Sequence, residues 1–451
     1  MQRTPSPPAG GLGRRTFLLG ALGALGAAGA TVGVVADPLA GPADAATRRM
    51  QLQFWHLLGG ADGENMNTIL GRVNRIDPKA TVRQTVLAWG TPYYTKLAMA
   101  AAGGRPPDLA ISHLSRLEGY APGGLFDEWD ISRFAKYGIS ADDFTKPTFK
   151  RMHVNGKLYA IALDSHSFVR FFNHDIAKKA GVLAADGTLQ PTTTVAEFLD
   201  QAKAMKSVTG KLGLSYGYLG DPANMWRLFW TFYSQLGATM SATKSKLVFD
   251  RSAFSEALGT MKKLLSSSVS EQQASDGFSF STFTAKQSGE MFTGVWDLSG
   301  LKASGIALDA SPIPNLFGTG IDAVWGDSHS FVLPHQDDLD EARREASYQA
   351  VALVLKNSLT WAKGGHTPAY QPVVHSSAFS KLEPNGHYAK TATFLHYDPQ
   401  LAFAGSGSNW QNDFGQTVQS ALMGAGSVKA ARDEFTSMSN QYVQHAVPTD
   451  D

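Results

Sequence analysis

From residue 50 onward the apolar positions switch between two periods. Residues 50–55 (MQLQFW) set apolar against polar at every second place, the spacing of a half-buried strand. Residues 64–76 space their apolar positions as on one face of a helix and stop before Asp77-Pro78. The alternation repeats with a strand over 81–88, a helix over 93–102, and a short buried strand over 109–112 after Arg105-Pro106-Pro107-Asp108. Further on, 195–206 reads as an amphipathic helix, with Glu197 three residues after Thr194 in capping-box spacing. Residues 343–356 and 427–443 are two more long helical patterns, and the Ser-rich 266–270 reads as a surface loop. Strands alternating with helices of this length predict an α/β protein of βαβ units around a mainly parallel sheet. No internal repeat of 20–50 residues interrupts the pattern.

The first 45 residues follow none of these periods. A Pro-rich start leads to Gly13-Arg14-Arg15-Thr16-Phe17-Leu18-Leu19, an uncharged stretch over 17–36, and Ala43-Asp44-Ala45. Charged, apolar and small-residue regions in that order make a secretory signal. The paired arginines before x-Phe-Leu resemble the twin-arginine (Tat) signal, with Gly13 where serine or threonine is usual. The alternative is a membrane anchor, since the 20 residues of 17–36 just reach across a bilayer. Five glycines and six alanines leave that stretch only weakly apolar, which favours a cleaved signal.

Composition narrows the function. Without residues 1–45 the chain keeps 37 basic and 37 acidic residues, and no basic excess points to nucleic acid. About 406 residues exceed one core and suit two domains. There is no cysteine, so disulfides, thiol catalysis, thiolate–metal ligation and lipid attachment at a cysteine are all excluded.

Five blocks in order carry a resemblance. They are Phe54-Trp55-His56; GGRPPDLAISHLSRLEGYAPGGLFDEW over 103–129; NGKLYAIALDSHSFVRFFNHDIAKKAGV over 155–182, with Ala162 where proline is usual; GEMFTGVWDLSG over 289–300; and Gly365-His366-Thr367-Pro368-Ala369. Together the chain resembles the extracellular solute-binding proteins of ABC sugar importers, family 1 and maltose-binding-protein-like. The resemblance implies a two-lobed periplasmic-binding-protein fold, type II-like, with the ligand in a cleft that closes by hinge motion. It implies a signal over 1–45, a first lobe from 46–165 and 327–370, and a second from 166–326 and 371–451. Crossings are expected near 164–166, 323–327 and 368–373. The implied partners are a carbohydrate, an ABC permease, and the Tat translocase during export. The protein would be a monomer outside the cytoplasm, in a periplasm or wall space, with no cofactor, no metal and no catalytic residue.

A sugar site needs aromatic platforms for C–H faces and short polar groups for hydroxyl edges. Trp296 stands where the resembling family stacks a sugar. Trp410 sits among Ser406-Gly407-Ser408-Asn409 and Gln411-Asn412, a polar loop by composition; Trp325 precedes Gly326-Asp327-Ser328-His329; and Trp89 follows the second strand. The resemblance brings His166 to the first crossing, where maltose-type members often carry a carboxylate, beside Asp164. His113, Ser115 and Arg116 lie in a loop after a strand, as do Asp221 and Asn224 in the second lobe, where α/β ligand sites gather. His56, Asp327 and His329 complete the candidates.

Three rivals compete with a binding role. Gly213-Leu214-Ser215-Tyr216-Gly217 fits G-x-S-x-G, but a nucleophile elbow needs a helix directly after it and Tyr218-Leu219-Gly220-Asp221-Pro222 reads as a loop. A glycoside hydrolase would use two carboxylates that spacing alone does not reveal. Twelve histidines show no H-x-H or H-E-x-x-H spacing, although His329 with His335, or His366 with His375, could converge in space. Peptides, amino-acid derivatives and polyamines stay open as solutes.

Overall fold

A computed structural model describes residues 49–77 and 79–445; the export signal expected over 1–45 lies outside the described residues. Strands β1 (Met50–His56), β2 (Ala80–Val86), β3 (Leu109–His113) and β4 (Phe126–Asp127) begin the first sheet. β1 runs parallel to β2 and β3, with Met50 opposite Ala80 and Phe54 opposite Leu109. Helices Gly60–Ile76 and Thr91–Ala102 supply the crossovers that parallel pairing requires. A small hairpin follows, β5 (His153–Val154) with β6 (Lys157–Leu158), and then β7 (Ile161–Ala162).

Leu163 alone separates β7 from β8 (Asp164–Asn173), the centre of a second sheet. That sheet gathers β9 (Leu212–Ser215), β12 (Ser288–Gly294), β13 (Leu308–Pro312) and β14 (Val324–Asp327), while β10 (Met240–Ala242) and β11 (Leu247–Phe249) form a hairpin apart. Ser328 then leads into β15 (His329–Pro334), which rejoins the first sheet antiparallel to β3, His329 opposite His113. β16 (Thr367–Pro368) pairs with the start of β8, and β17 (Leu395–His396) with β14.

The second sheet departs from the expected parallel pattern. β8 is antiparallel to β12, β13, β14 and β16. The reason is connectivity: strands that pass straight from one sheet to the other carry no helical crossover, so they need not run parallel.

Local sequence explains the helices. Thr194 Oγ1 accepts from the Glu197 amide at 3.2 Å, and the Glu197 carboxylate accepts from the Thr194 amide at 3.2 Å. This reciprocal cap opens helix Val195–Thr209, and Gly210 closes it in the left-handed region at φ 72°. Each sheet buries its own core. Met66, Ile69 and Val73 pack with Leu52, Phe54 and Ile111 in the first. In the second, Trp226, Phe229, Phe254, Trp410, Phe414 and Phe435 bring together helices Pro222–Gln235, Arg251–Ser266, Asn409–Leu422 and Val428–His445.

Buried charged groups interrupt this apolar second half, Arg170 and Asp398 among them. Arg170, on β8, donates from Nε to the Glu290 carboxylate of β12 and from a terminal nitrogen to the Gln201 side chain. Its guanidinium lies 4.9 Å from the Phe198 ring centre. Asp398 accepts from Trp226 Nε1 at 2.6 Å and Trp325 Nε1 at 2.8 Å. Burial, helped by the nearby Asp327 charge, pushes its carboxyl up to about 7.

Both groups make stability predictions readable by urea denaturation. Arg170→Ala strands a buried carboxylate and costs about 3–5 kcal/mol, whereas Arg170→Met combined with Glu290→Leu recovers most of that loss. An equal loss in both variants would place the value of Arg170 in packing rather than charge. For Asp398 the folded-state value lies above the unfolded one near 3.9. Its contribution is therefore complete below about pH 4 and fades as pH rises toward 7. Asp398→Asn, which keeps an oxygen for both indoles, gains about 1–4 kcal/mol over the parent at pH 8 and nothing at pH 4.

Candidate functional site

A cleft of about 670 Å³ opens where the two sheets meet. Its wall is made by segments that follow strands. Leu57 to Asp62 follow β1, Val86 to Trp89 run from the last residue of β2, and His113 ends β3. From the second sheet come Trp296 and Asp297 after β12, Trp325 on β14, and Asp221, which caps helix Pro222–Gln235. His166, His329, Arg227 and Ser406 complete the lining used below. Strand ends at a sheet switch point are where α/β proteins gather their ligands.

The side chains form an aromatic surround with a cation at its centre. The Arg227 guanidinium lies 4.8 Å from the Trp296 ring centre, 5.2 Å from Trp325 and 5.7 Å from Trp89. Asp221 at 3.1 Å and Asn224 Oδ1 at 2.5 Å hold it from behind. Trp325 is buried, whereas Trp89 is 40% exposed and stands at the mouth. Trp296 and Trp325 meet edge-on, with centres 6.2 Å apart. Gly294 makes that placement feasible, because a Cβ there would lie 2.1 Å from the Trp296 ring.

Two carboxyls along the wall, Asp62 and Asp297, lean toward neutrality. Burial pushes Asp62 up to about 7 and Asp297 up to about 6, the latter moderated by a hydrogen bond from the Thr293 hydroxyl. Beneath them Asp164 does the opposite. Although burial raises it, the charges of and hydrogen bonds from His329 and His166 dominate and hold it well below the usual carboxylate range. The reciprocal effect lifts His329 above the ordinary imidazole value despite burial, while burial and two neighbouring imidazoles push His113 far down.

Of the residues expected from sequence, Trp89, His113, His166, Asp221, Trp296, Trp325 and His329 line the cleft. The others do not. His56 is buried behind the wall, its Nε2 2.9 Å from Gln84 Oε1 and its Nδ1 accepting from the Leu58 amide. Ser115 and Asp327 belong to a knot: Asp327 accepts from Ser115 Oγ and from Ser406 Oγ, and Ser115 Oγ accepts from the Ser406 amide. Arg116 lies over Tyr94 and Tyr120 and reaches the Ala404 carbonyl. Asn224 braces Arg227 and the Gly217 carbonyl, and Asp164 lies fully buried under the histidines.

Trp410 is the clearest correction. It sits in the first turn of helix Asn409–Leu422, fully buried, against Trp226 at 4.7 Å and bonded to Ser439 Oγ. The polar run before it is a helix cap, Ser408 Oγ accepting from the Gln411 amide, and not a ligand loop. Ser215 likewise ends β9 in the core, its hydroxyl bonded to Ser279, and the next helix starts only at Pro222. That is no nucleophile elbow.

Sequence reasoning missed Arg227, Asp62, Asp297 and Ser406. Arg227 had a signal, since it is the one charged residue in the apolar helix Pro222–Gln235. Of the histidine pairings weighed from sequence, neither forms this centre: His335 bonds Asp127 at the surface. His366 instead joins His166 and His329 around Asp164, where their ring nitrogens and a carboxylate oxygen all fall within 4.8 Å.

The sequence profile of bacterial extracellular solute-binding proteins matches residues 88–378. No curated protein matches the sequence significantly. Among solved structures, the GacH receptor of Streptomyces glaucescens, determined unliganded and with acarbose, superposes at TM-score 0.72 and 18% identity over 88% of this chain and 100% of its own. UgpB from Mycobacterium tuberculosis in complex with glycerophosphocholine gives TM-score 0.72 at 15% identity, covering 87% and 98%. The cyclic alpha-maltosyl-1,6-maltose binding protein from Arthrobacter globiformis gives 0.68 at 20% identity, covering 88% and 99%. Identities this low establish a common fold. The profile match, which takes in well over half of the chain, goes further: this protein belongs to the bacterial extracellular solute-binding proteins.

Proposed function

We propose that the cleft captures a carbohydrate and presents it to the permease of an ABC importer. The observation that carries this reading is the trio Trp89, Trp296 and Trp325 around Arg227, with Asp62, Asp221 and Asp297 at the edges. Indole faces suit sugar C–H faces, and carboxyls and guanidinium suit hydroxyl edges. Asp221 already pairs with Arg227, which leaves that cation no free charge for an anionic solute. The solutes named in two of the solved relatives, acarbose and a cyclic maltosyl-maltose, belong to the same chemical class.

In this reading 46–165 with 327–370 form one lobe and 166–326 with 371–451 the other. A sugar bridging both walls favours closure because only the closed form completes its contacts. Export through the Tat route as a folded monomer, signal over 1–45 included, and release into a periplasm or wall space belong to the same proposal.

Thermal-shift and calorimetric titration against mono- and oligosaccharides test it, since a ligand raises apparent stability by mass action. Trp296→Ala is expected to weaken the best sugar at least about tenfold, or about 1.4 kcal/mol. Gly294→Ala keeps the indole but displaces it and is expected to cost a similar factor. Trp410→Phe, in the core, leaves affinity unchanged. Stabilisation by glycerophosphocholine and by no sugar would replace the carbohydrate with a polar phosphodiester.

A further inference from the structure

Beside His113, three further histidines meet under the cleft, each at a point where the chain passes between the sheets. His166 lies two residues into β8, His329 opens β15, and His366 immediately precedes β16. All three are buried, as is Asp164, which is 0% exposed. The ring centres are 4.4 Å apart for His166 and His329, 5.8 Å for His166 and His366, and 5.5 Å for His329 and His366. His166 Nδ1 and His329 Nδ1 already face the Asp164 carboxylate, at 3.1 and 2.8 Å, which leaves both ring nitrogens of the third histidine to be accounted for.

His366 is the informative member. Among the described residues neither of its ring nitrogens has a hydrogen-bond partner, although the side chain is wholly buried. Its Nε2 faces two carboxylates, Asp62 Oδ2 at 3.5 Å and Asp164 Oδ2 at 3.9 Å, too far for hydrogen bonds of normal length. Asp62 Oδ1 is also unpartnered among the described residues. Unpaired donors and acceptors of this kind are rare in protein interiors and call for a bound group.

We infer that His166, His329, His366 and Asp164 form a binding site for a divalent transition metal of the zinc type. Three imidazoles and one carboxylate make an N3O set of the kind zinc takes in tetrahedral sites. Bonds of about 2.0–2.1 Å place tetrahedral ligand atoms about 3.4 Å apart. The four donors already lie within 4.8 Å of one another, so side-chain adjustments of about an ångström or so close the shell. The carboxylate is oriented from outside the set, by the His329 amide on Oδ1 at 2.9 Å and Trp361 Nε1 on Oδ2 at 2.6 Å. Entry is through the cleft, which His166 and His329 line. A bound ion would tie together the three crossings about which the two sheets move. This inference stands on the histidine geometry and is independent of which solute the cleft takes.

The test is titration of chelator-stripped protein with Zn2+ against a chromophoric competitor, and separately with Co2+ as a spectroscopic probe. One Zn2+ per chain is expected, with the intense visible bands of four-coordinate Co2+ and a higher melting temperature on loading. His366→Gln is expected to weaken uptake by more than the about 10–100-fold typical of losing an outer-sphere partner. His335→Gln, at the surface, changes nothing. No uptake at one equivalent, the weak bands of six-coordinate Co2+, or uptake indifferent to His366→Gln would each overturn the site. The Co2+ spectrum of the unmutated protein serves even where the variant folds poorly, and none of these results bears on the sugar titrations.

Discussion

Asp164 is the constraint on which the molecule turns. It is a carboxylate removed from water, and its recorded partners are imidazoles, an indole and a backbone amide rather than a lysine or arginine. An ionised carboxylate is costly to bury unless hydrogen bonds stand in for water, and here those bonds come from different parts of the chain. His166 is two residues along its own strand; His329 opens the strand returning to the first sheet; Trp361 lies on helix Leu359–Lys363, just before β16. The crossings are therefore held in register by one buried charge. Asp327, beside Ser328 at the second crossing, repeats the device with Ser115 and Ser406.

The cleft above inherits its electrostatics from this floor. The Asp164 carboxylate lifts His329 above the ordinary imidazole value despite burial, and Arg227 is the fixed cation of the wall, countered by Asp221. Indole faces stabilise that cation further, more strongly because Trp325 excludes water from it. The same arrangement fixes the rings. Trp325 is held from below by Asp398, which also takes the Trp226 indole, so the wall of the cleft and the second core share one acceptor. A platform so held loses little conformational freedom when a solute stacks on it.

How much of this was legible in the sequence follows from what each signal measures. Local signals worked: the Thr194 and Glu197 cap, and the helix stop after Ile76. Trp89 and Trp296 reach the cleft because strand ends point there. Signals needing a partner distant in sequence failed. Trp410 becomes a core residue only beside Trp226 and Ser439, both far from it in the chain, whereas the Ser408 cap on Gln411 is a local signal that the polar composition concealed. Arg227 stands out as the one charge in an apolar helix, but its place in the cleft depends on the distant Trp89, Trp296 and Trp325, and His366 acquires meaning only where the crossing brings it to His166 and His329. Antiparallel pairing of β8 was illegible for the same reason, since it depends on which sheet a strand enters.

At the rim the walls also meet where two glycine backbones come together. Gly407, at φ 69°, approaches Gly90, at φ 85°, so closely that a Cβ on Gly407 would stand 2.7 Å from the Gly90 Cα. Beside it Thr91 Oγ1 donates to Asn409 Oδ1 at 2.9 Å and lies 3.3 Å from the Gly407 carbonyl. A contact of that kind has few atoms to unlock, and the hydrogen bonds it breaks are remade with water at a net cost near 1 kcal/mol each. The Asp164 and Asp327 knots, by contrast, are buried and cannot be exchanged for solvent so cheaply. The rim contact is continuous with the Asp327 knot, because Gly407 directly follows Ser406, so the exchangeable contact and the buried one are joined through a single peptide unit.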